Sequence, residues 1–476
     1  MTTERRSWLL LAILSQCLAV PAASAQSDLL VVTSDFQTGS ISFVSAETGV
    51  AVEKNLLTIH SDAVARYRHG KVYIVNRLGQ DNVLILDRSD LSQPLLQFSV
   101  GNGSNPLDIA FASDDKAYVS RFGSASVLVV DPTQGNTLGE IDLSVFADDD
   151  GIPEMTQMAT VGSRLYVALQ RLDRDNGFAP VAPGYIAIID METDTLVDVN
   201  PEEEGIQAWA LAAPNPASLI ALGSTLYVSE TSAFRDAAGG IEILDTTDLS
   251  SRGLVVTETE LGGDVTWVSP VSAARGFAVV VDADFNNVLV PINLADGTVG
   301  TPLEGHSGGF TASLTVDGSR LLVPDRGAFD APESAGLLVF DVDSGELLAG
   351  PIDVGLPPGT IVVLKDAPIT AVLESPGSEP NVASLDPAYP NPFNGGTTIP
   401  FVIGDHLNGE ARLAVYDALG RRVRMLRRSV AAGSHTATWD GRDDMGRLVG
   451  SGPYVVELRL PGGQSERLTR KVTLVK

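Results

Sequence analysis

The chain is short of cysteine, histidine and basic residues. Of its 476 residues one is cysteine, Cys17, and five are histidine. Thirty-two basic residues face 60 acidic ones, for a net charge of −28. Cys17 lies in a leader expected to be cleaved, so the mature chain has neither disulfide nor thiolate. Cysteine nucleophiles, cysteine-based zinc sites and iron–sulfur centres are thereby excluded. Stability must come from packing, which a chain of this length can supply. The shortage of basic residues argues against nucleic acid as a partner, since phosphates require a basic footprint. Long apolar runs are missing too. The run Trp8 to Val20 is too short to span a bilayer, and no segment of the mature chain is expected to cross one. Nor is there a G-x-S-x-G element, an H-E-x-x-H helix, a dinucleotide glycine string or a phosphate loop.

The N-terminus reads as a secretory signal, residues 1–25. Arg5 and Arg6 precede the apolar run, and Ala23-Ser24-Ala25 supplies a small-x-small cleavage site before Gln26. The rival is a lipoprotein signal ending at Cys17, but bulky Gln16 stands where such sites take a small residue. The expected location is the cell surface or the medium, reached through the periplasm. Charge then divides the mature chain. Residues 26–386 hold 51 acidic and 17 basic residues, whereas residues 387–476 hold 8 and 13. An acidic surface keeps an extracellular protein soluble.

Glycine (46) and proline (27) are plentiful beside 44% hydrophobic residues, which points to a turn-rich all-β chain. Two strand patterns alternate between residues 28 and 364. The first reads "LLVVTSD", "KVYIVNR", "KAYVSRF", "RLYVALQR", "TLYVSET", "GFAVVVDADF" and "RLLVPDR". The second comes after each, beyond a short loop: "SISFVS", "NVLILD", "SVLVVD", "YIAIID", "GIEILD", "NVLVPIN" and "GLLVFD". Asp87, Asp131, Asp190, Asp245 and Asp341 end five of the second strands, where a carboxylate can accept from the backbone of the next turn. Each unit has room for four short strands, the organisation of β-propeller blades. These runs resemble the YVTN and NHL-type propeller repeats, and the resemblance covers residues 26–364. It implies a seven-bladed β-propeller and leaves function open. The chain enters on a second-strand pattern and leaves on "GTIVVL", so Thr360–Leu364 is expected to complete the blade begun by Leu29–Thr33.

Candidate ligand-binding residues stand in the loops after the first pattern. Arg77, Arg121, Arg171 and Arg326 follow their strands almost at once, and Phe36, Phe122, Phe234, Phe285 and Phe329 sit a few residues on. Guanidinium groups and rings on one face could grip a carboxylate or a sugar. The competing reading is that each Arg pairs with an Asp such as Asp35, Asp284 or Asp325 while each Phe fills the space between blades. His60 and His306 precede innermost strands, and "DRDNG" at Asp173 and "DADFNN" at Asp282 echo calcium loops without the full ligand series. No metal, cofactor or catalytic residue is assigned.

Residues 365–386 read as a linker rich in proline, serine and acid. "YPNPFNGGTTIPFVI" opens the C-terminal stretch, with "ARLAVYDALGRRVRML", "AAGSHTATWDGRDDMGRLVGSGPYVVELRL" and "RKVTLVK" after it. Residues 387–476 resemble the C-terminal sorting domains of type IX secretion cargo and the related Ig-like domain of flagellar hook-cap proteins. Gly395 and Gly396 depart from that family, which often has proline there. The resemblance implies a small Ig-like β-sandwich, with Tyr389, Pro390, Asn391, Pro392 and Phe393 as its entry motif and the secretion machinery as partner. Two function classes result. The preferred one is a secreted or cell-surface binding protein whose ligand is a glycan, a protein or another extracellular molecule. The alternative is an extracellular propeller enzyme of the lactonase or hydrolase kind.

Overall fold

A computed structural model describes residues 27–45, 51–366, 384–385, 388, 393–403, 412–417, 421–427, 433–459 and 467–475. The chain divides into two compact units, Met1–Ala371 and Val372–Lys476.

In the first unit the described residues form seven consecutive antiparallel sheets of three or more strands, beside a two-stranded pair of Leu172–Asp173 with Ala179–Pro180. Sheet 1 runs Ala63–Arg68, Lys71–Asn76, Asn82–Asp87, Asp90–Ser99; sheet 2 runs Pro106–Phe111, Ala117–Arg121, Ser126–Asp131, Asn136–Asp142. Sheet 3 starts on Met155–Val161 and Arg164–Leu169, sheet 4 on Pro216–Leu222 and Thr225–Glu230, sheet 5 on Asp264–Ser272 and Arg275–Val281, and sheet 6 on Thr315–Asp317 and Arg320–Asp325. Sheet 7 joins the two ends of the unit. Its first strand is Pro358–Val363, which pairs with Leu29–Ser34 in the register Leu29↔Val363 and Val31↔Ile361. Gly39–Val44 and Ala51–Ile59 complete it. The closure expected from the phase of the repeat is therefore formed, and it leaves neither end of the ring with an open edge.

The alternation of the strands explains the ring. Successive residues of a strand face opposite sides. In Leu29–Ser34, Leu30 and Val32 join a core with Ala65, Val72 and Ile74 of sheet 1, whereas Leu29 and Val31 join Leu322, Leu337 and Val339 of sheet 6. Both faces are thus buried, which is why these runs are continuously apolar. Separate clusters fill the intervals between sheets 1 and 2, 2 and 3, 3 and 4, 4 and 5, and 5 and 6. A closed sequence of sheets, each packed between its two neighbours, is a β-propeller.

The Asp residues closing the second-pattern strands act as expected. Oδ1 of Asp87 accepts from Ser89 N (2.9 Å), that of Asp131 from Thr133 N (2.8 Å), and that of Asp341 from Ser344 N (2.8 Å). The first strands of each sheet are tied sideways by polar side chains. Asp108 Oδ2 accepts from Met158 N (3.0 Å), Gln157 Oε1 from Leu219 N (2.9 Å), and Ser218 Oγ from Val268 N (3.1 Å). Thr315 Oγ1 donates to Ile361 O (3.1 Å).

In the second unit the sheets are Ser384–Leu385, Thr397–Ile403, Gly433–Trp439 and Arg422–Arg427, Arg412–Asp417, Gly452–Arg459, Arg467–Leu474. They share one core, in which Trp439 is fully buried. Its ring meets Tyr454 edge-on at 4.9 Å and Phe393 at 5.4 Å, and its Nε1 donates to Arg442 O (2.9 Å). The boundary differs from the one read in the sequence. Ser384–Leu385 falls in the stretch read as linker, yet it pairs with Phe401 and Val402, and Leu385 is 2% exposed. At the other end of that stretch, Asp366 accepts from His69 N (2.6 Å) and so belongs with the first unit. A two-residue strand is too short to show periodicity, which is why it went unread.

Candidate functional site

The first strands of the seven sheets surround a cavity of about 660 Å³. Small side chains, including Ala63, Ala217 and Gly359, leave it open. Its wall also carries Arg66, Gln157 and Trp267, all from first strands. The loops following the second strands reach it only in places. Phe36 and Leu78 from such loops, with Phe310 ahead of Thr315–Asp317, line it while remaining 73%, 64% and 55% exposed, so they form its rim.

The four candidate arginines separate. Arg77 and Arg326 line the cavity; Arg121 and Arg171 are not among its lining residues. Arg77 pairs with Asp62. Arg121 is 6% exposed and is used by its own loop: Nε donates to Ser126 O (3.0 Å), and the guanidinium meets Glu140 at 3.2 Å. Arg171 donates to Pro183 O (2.8 Å) and lies 4.8 Å from the Tyr185 ring centroid. Arg326 donates to Ser34 O (2.6 Å) and stacks on Phe36 at 4.1 Å. Burial pulls its pKa down, and nearby Asp35 opposes that pull. The Phe residues divide as well. Phe122 is half-buried beneath the Arg174 guanidinium at 5.7 Å, while Phe329 is fully exposed. Stacking of Arg on Phe recurs at Arg235 and Phe285, 4.0 Å apart.

His60 lines the cavity, and its Nδ1 accepts from Asp62 N (3.2 Å). The His306 side chain is 4% exposed; Nε2 meets Thr311 Oγ1 at 2.8 Å, and burial lowers its pKa. Asp173 caps a short turn by accepting from Asp175 N and Asn176 N, both at 3.0 Å. Asp282 accepts from Asp284 N and Asn286 N, both at 2.9 Å. Both calcium-like stretches thus spend a carboxylate oxygen on their own backbone.

Of the entry motif, Phe393 is described and is 2% exposed; Tyr389, Pro390, Asn391 and Pro392 lie outside the described residues. Phe393 N donates to Thr473 O (2.9 Å), and the ring packs on Trp439. Gly395 holds φ +99°, which side-chain-bearing residues rarely adopt. Arg421 pairs with Asp417 at 2.7 Å, Arg422 with Asp444 at 3.5 Å, and Arg447 with Asp443 at 2.9 Å, so much of this unit's basic charge is locally balanced.

Arg66, Trp267 and Phe310 were not singled out from the sequence. "AVARYR", "DVTWVS" and "GGFTAS" lack the apolar continuity of the other strands, and that polarity was itself the available signal for a channel wall.

No family model matches the chain, and no curated protein does. Solved structures with similar backbones include apo AztD from Citrobacter koseri, at 13% identity over 71% of this chain and 98% of that one, with a TM-score of 0.44. A protein of Bacteroides fragilis provisionally named a 6-phosphogluconolactonase gives 15%, 71% and 98%, with a TM-score of 0.48. Dihydro-heme d1 dehydrogenase NirN in complex with DHE gives 15%, 72% and 76%, with 0.45. These similarities assign no ligand to this chain.

Proposed function

We propose that this chain is a secreted or cell-surface binding protein. Its propeller, seven-bladed in this reading, takes an extracellular ligand at the channel mouth, and its Ig-like C-terminal unit directs export. The carrying observation is the cavity of about 660 Å³, which is of ligand size and has convergent polar groups inside an apolar rim. Binding is preferred to catalysis because Arg66, Arg77 and Asp62 of the wall are tied into structural pairs. Arg66 Nε lies 2.9 Å from Asp108 Oδ1, and Arg77 pairs with Asp62. A group held this way is poorly placed to move protons.

The test is a thermal-shift screen of the mature chain against extracellular metabolites and glycans, repeated with Ala217→Trp. Ala217 lines the cavity, so an indole there fills it. Compounds that raise the melting temperature of the native chain should lose their effect in the variant. Compounds acting equally on both would place binding elsewhere and overturn the reading. Turnover of a lactone or ester, abolished by the same variant, would move the assignment to the enzyme class.

A further inference from the structure

The polar groups of the channel are unevenly distributed around the ring. Among the lining residues three guanidinium groups, Arg66, Arg77 and Arg326, stand against one carboxylate, Asp62. This is the reverse of the balance in residues 26–386, where acid outnumbers base threefold. Arg66 and Arg77 have carboxylate partners. Arg326 has only carbonyl oxygens, those of Ser34 at 2.6 Å and Pro357 at 3.5 Å, and the face of Phe36. Among the described residues no carboxylate pairs with it. Asp35 stands near enough to act on it electrostatically but makes no ion pair with it, and a half-buried cation without an anion in contact is costly unless something supplies the negative charge.

A second observation is independent of charge. Three buried polar atoms of lining residues have no hydrogen-bond partner among the described residues: Trp267 Nε1, Ser313 Oγ and Arg77 Nε. The two nitrogens can only donate, and a hydroxyl can donate as well. Ser313 is 6% exposed, so its hydroxyl has been taken from bulk water without compensation from the described residues. Buried donors are rarely left in this condition, and two of them, Trp267 Nε1 and Ser313 Oγ on neighbouring sheets, call for an acceptor that the cavity can hold. They lie on one arc. Trp267 comes from sheet 5, Ser313 and Arg326 flank the strands of sheet 6, Phe36 follows the second strand of sheet 7, and Arg77 that of sheet 1. The facing arc, with Leu107, Thr156 and Ala217, is uncharged.

We propose that this arc is a site for a small, ring-bearing carboxylate. Its oxygens take the hydrogen bonds offered by Trp267, Ser313 and Arg326, and its ring lies against Phe36 and Phe310. A carboxylate accepts from several donors at once and suits the flat guanidinium fork. Aromatic rim residues suit a flat or ring-shaped body. The assignment rests on the binding reading above and specifies its ligand.

Two of the donors make clean variants, because no hydrogen bond among the described residues uses either. Isothermal titration of the mature chain at low salt would use benzoate and glucuronate as probes, with benzyl alcohol and glucose as neutral counterparts. At least one acid should bind, and its neutral counterpart should not. Ser313→Ala and Trp267→Phe should each weaken that acid several-fold, about 3- to 10-fold for one hydrogen bond to a charged group, with melting temperatures unchanged. Arg326→Met should weaken it by roughly tenfold or more. Equal binding of the neutral counterpart, unchanged binding in both donor variants, or no binding of either acid would each overturn the assignment. A neutral compound that the Ala217→Trp screen places in the channel would sink the ligand class while leaving the binding reading intact.

Discussion

At the residue scale, position in the repeat does not determine role. Arg77, Arg121, Arg171 and Arg326 look alike in sequence because each follows the same strand pattern. The structure gives them a carboxylate, a loop carbonyl, a tyrosine face and a phenylalanine face in turn. For Arg326 a distant part of the chain decides this. The partner of Arg326, Ser34, lies 292 residues away. By contrast, the roles of Asp87, Asp131 and Asp341 were legible, since their partners are two or three residues on. Buried acids give a further prediction at this scale. Burial, with Glu242 beside it, holds the Glu230 carboxyl well above its ordinary value. Burial likewise pushes Glu258 up to about 7, against hydrogen bonds from Val265 N and Gly239 N. An acid whose pKa is higher in the folded state stabilises that state while it keeps its proton. The benefit is complete below the unfolded value of 4.5 and is lost as pH rises through the folded one. For Glu258 the window runs from 4.5 to about 7; for Glu230 it opens at the same pH. The native chain should therefore lose thermal stability on going from about pH 5 to about pH 8, and Glu230→Gln should flatten the decline. Melting curves across that range decide it, and parallel slopes for the two proteins would count against the account.

At the element scale, the second and third strands of every sheet were readable and the first strands were not. Leu29–Ser34, Lys71–Asn76 and Arg320–Asp325 are buried along nearly their whole length, so hydrophobic runs mark them. A first strand has one side toward the channel and carries the polar groups that tie it to its neighbours. Its sequence therefore mixes small, polar and bulky residues, and Thr315–Asp317 is only three residues long. The cavity inherited that obscurity, because it is built from these strands. Closure was the exception, legible because the phase of the repeat left one strand over at each end. Closure is also where the sheet is most exposed to a single change. Val31 is fully buried in a strand hydrogen-bonded on both sides, to Gly39–Val44 and to Pro358–Val363. Proline there removes a ladder hydrogen bond and forces a ring into the sheet. Val31→Pro should destabilise the first unit by about 3 kcal/mol or more. Amides of Pro358–Val363 should then exchange faster than those of Lys71–Asn76. Uniform exchange across the two strands would mean that the two ends do not hold the ring together.

At the scale of the whole molecule, the chain is two cores with separate compositions. The first is strongly acidic and draws its stability from seven apolar layers in series. The second is basic and draws it from one core around Trp439, Phe393, Tyr454 and Ile399. Domains with their own cores unfold independently unless a large interface couples them. Deleting residues 387–476 should thus leave the main calorimetric transition of the chain in place and remove only the transition of the second unit. Export supplies the functional half of the same prediction. If the second unit is the address, the shortened chain should remain folded in the periplasm of a host with type IX machinery. The segment from Tyr389 to Lys476, attached behind a signal peptide and a linker to an unrelated protein, should carry that protein to the surface or the medium. Phe393 gives a finer version. It is buried against Trp439 and holds the entry segment to the last strand through Thr473 O and the bridge to Leu474. Phe393→Ala removes a large buried ring, a change that typically costs about 3–5 kcal/mol. It should therefore impair export of the fusion along with folding of the second unit, leaving the main transition untouched. Normal surface display of the shortened chain would show instead that export does not depend on the second unit. That unit would then be an adhesive or structural module, and the address would have to lie in the propeller or the leader.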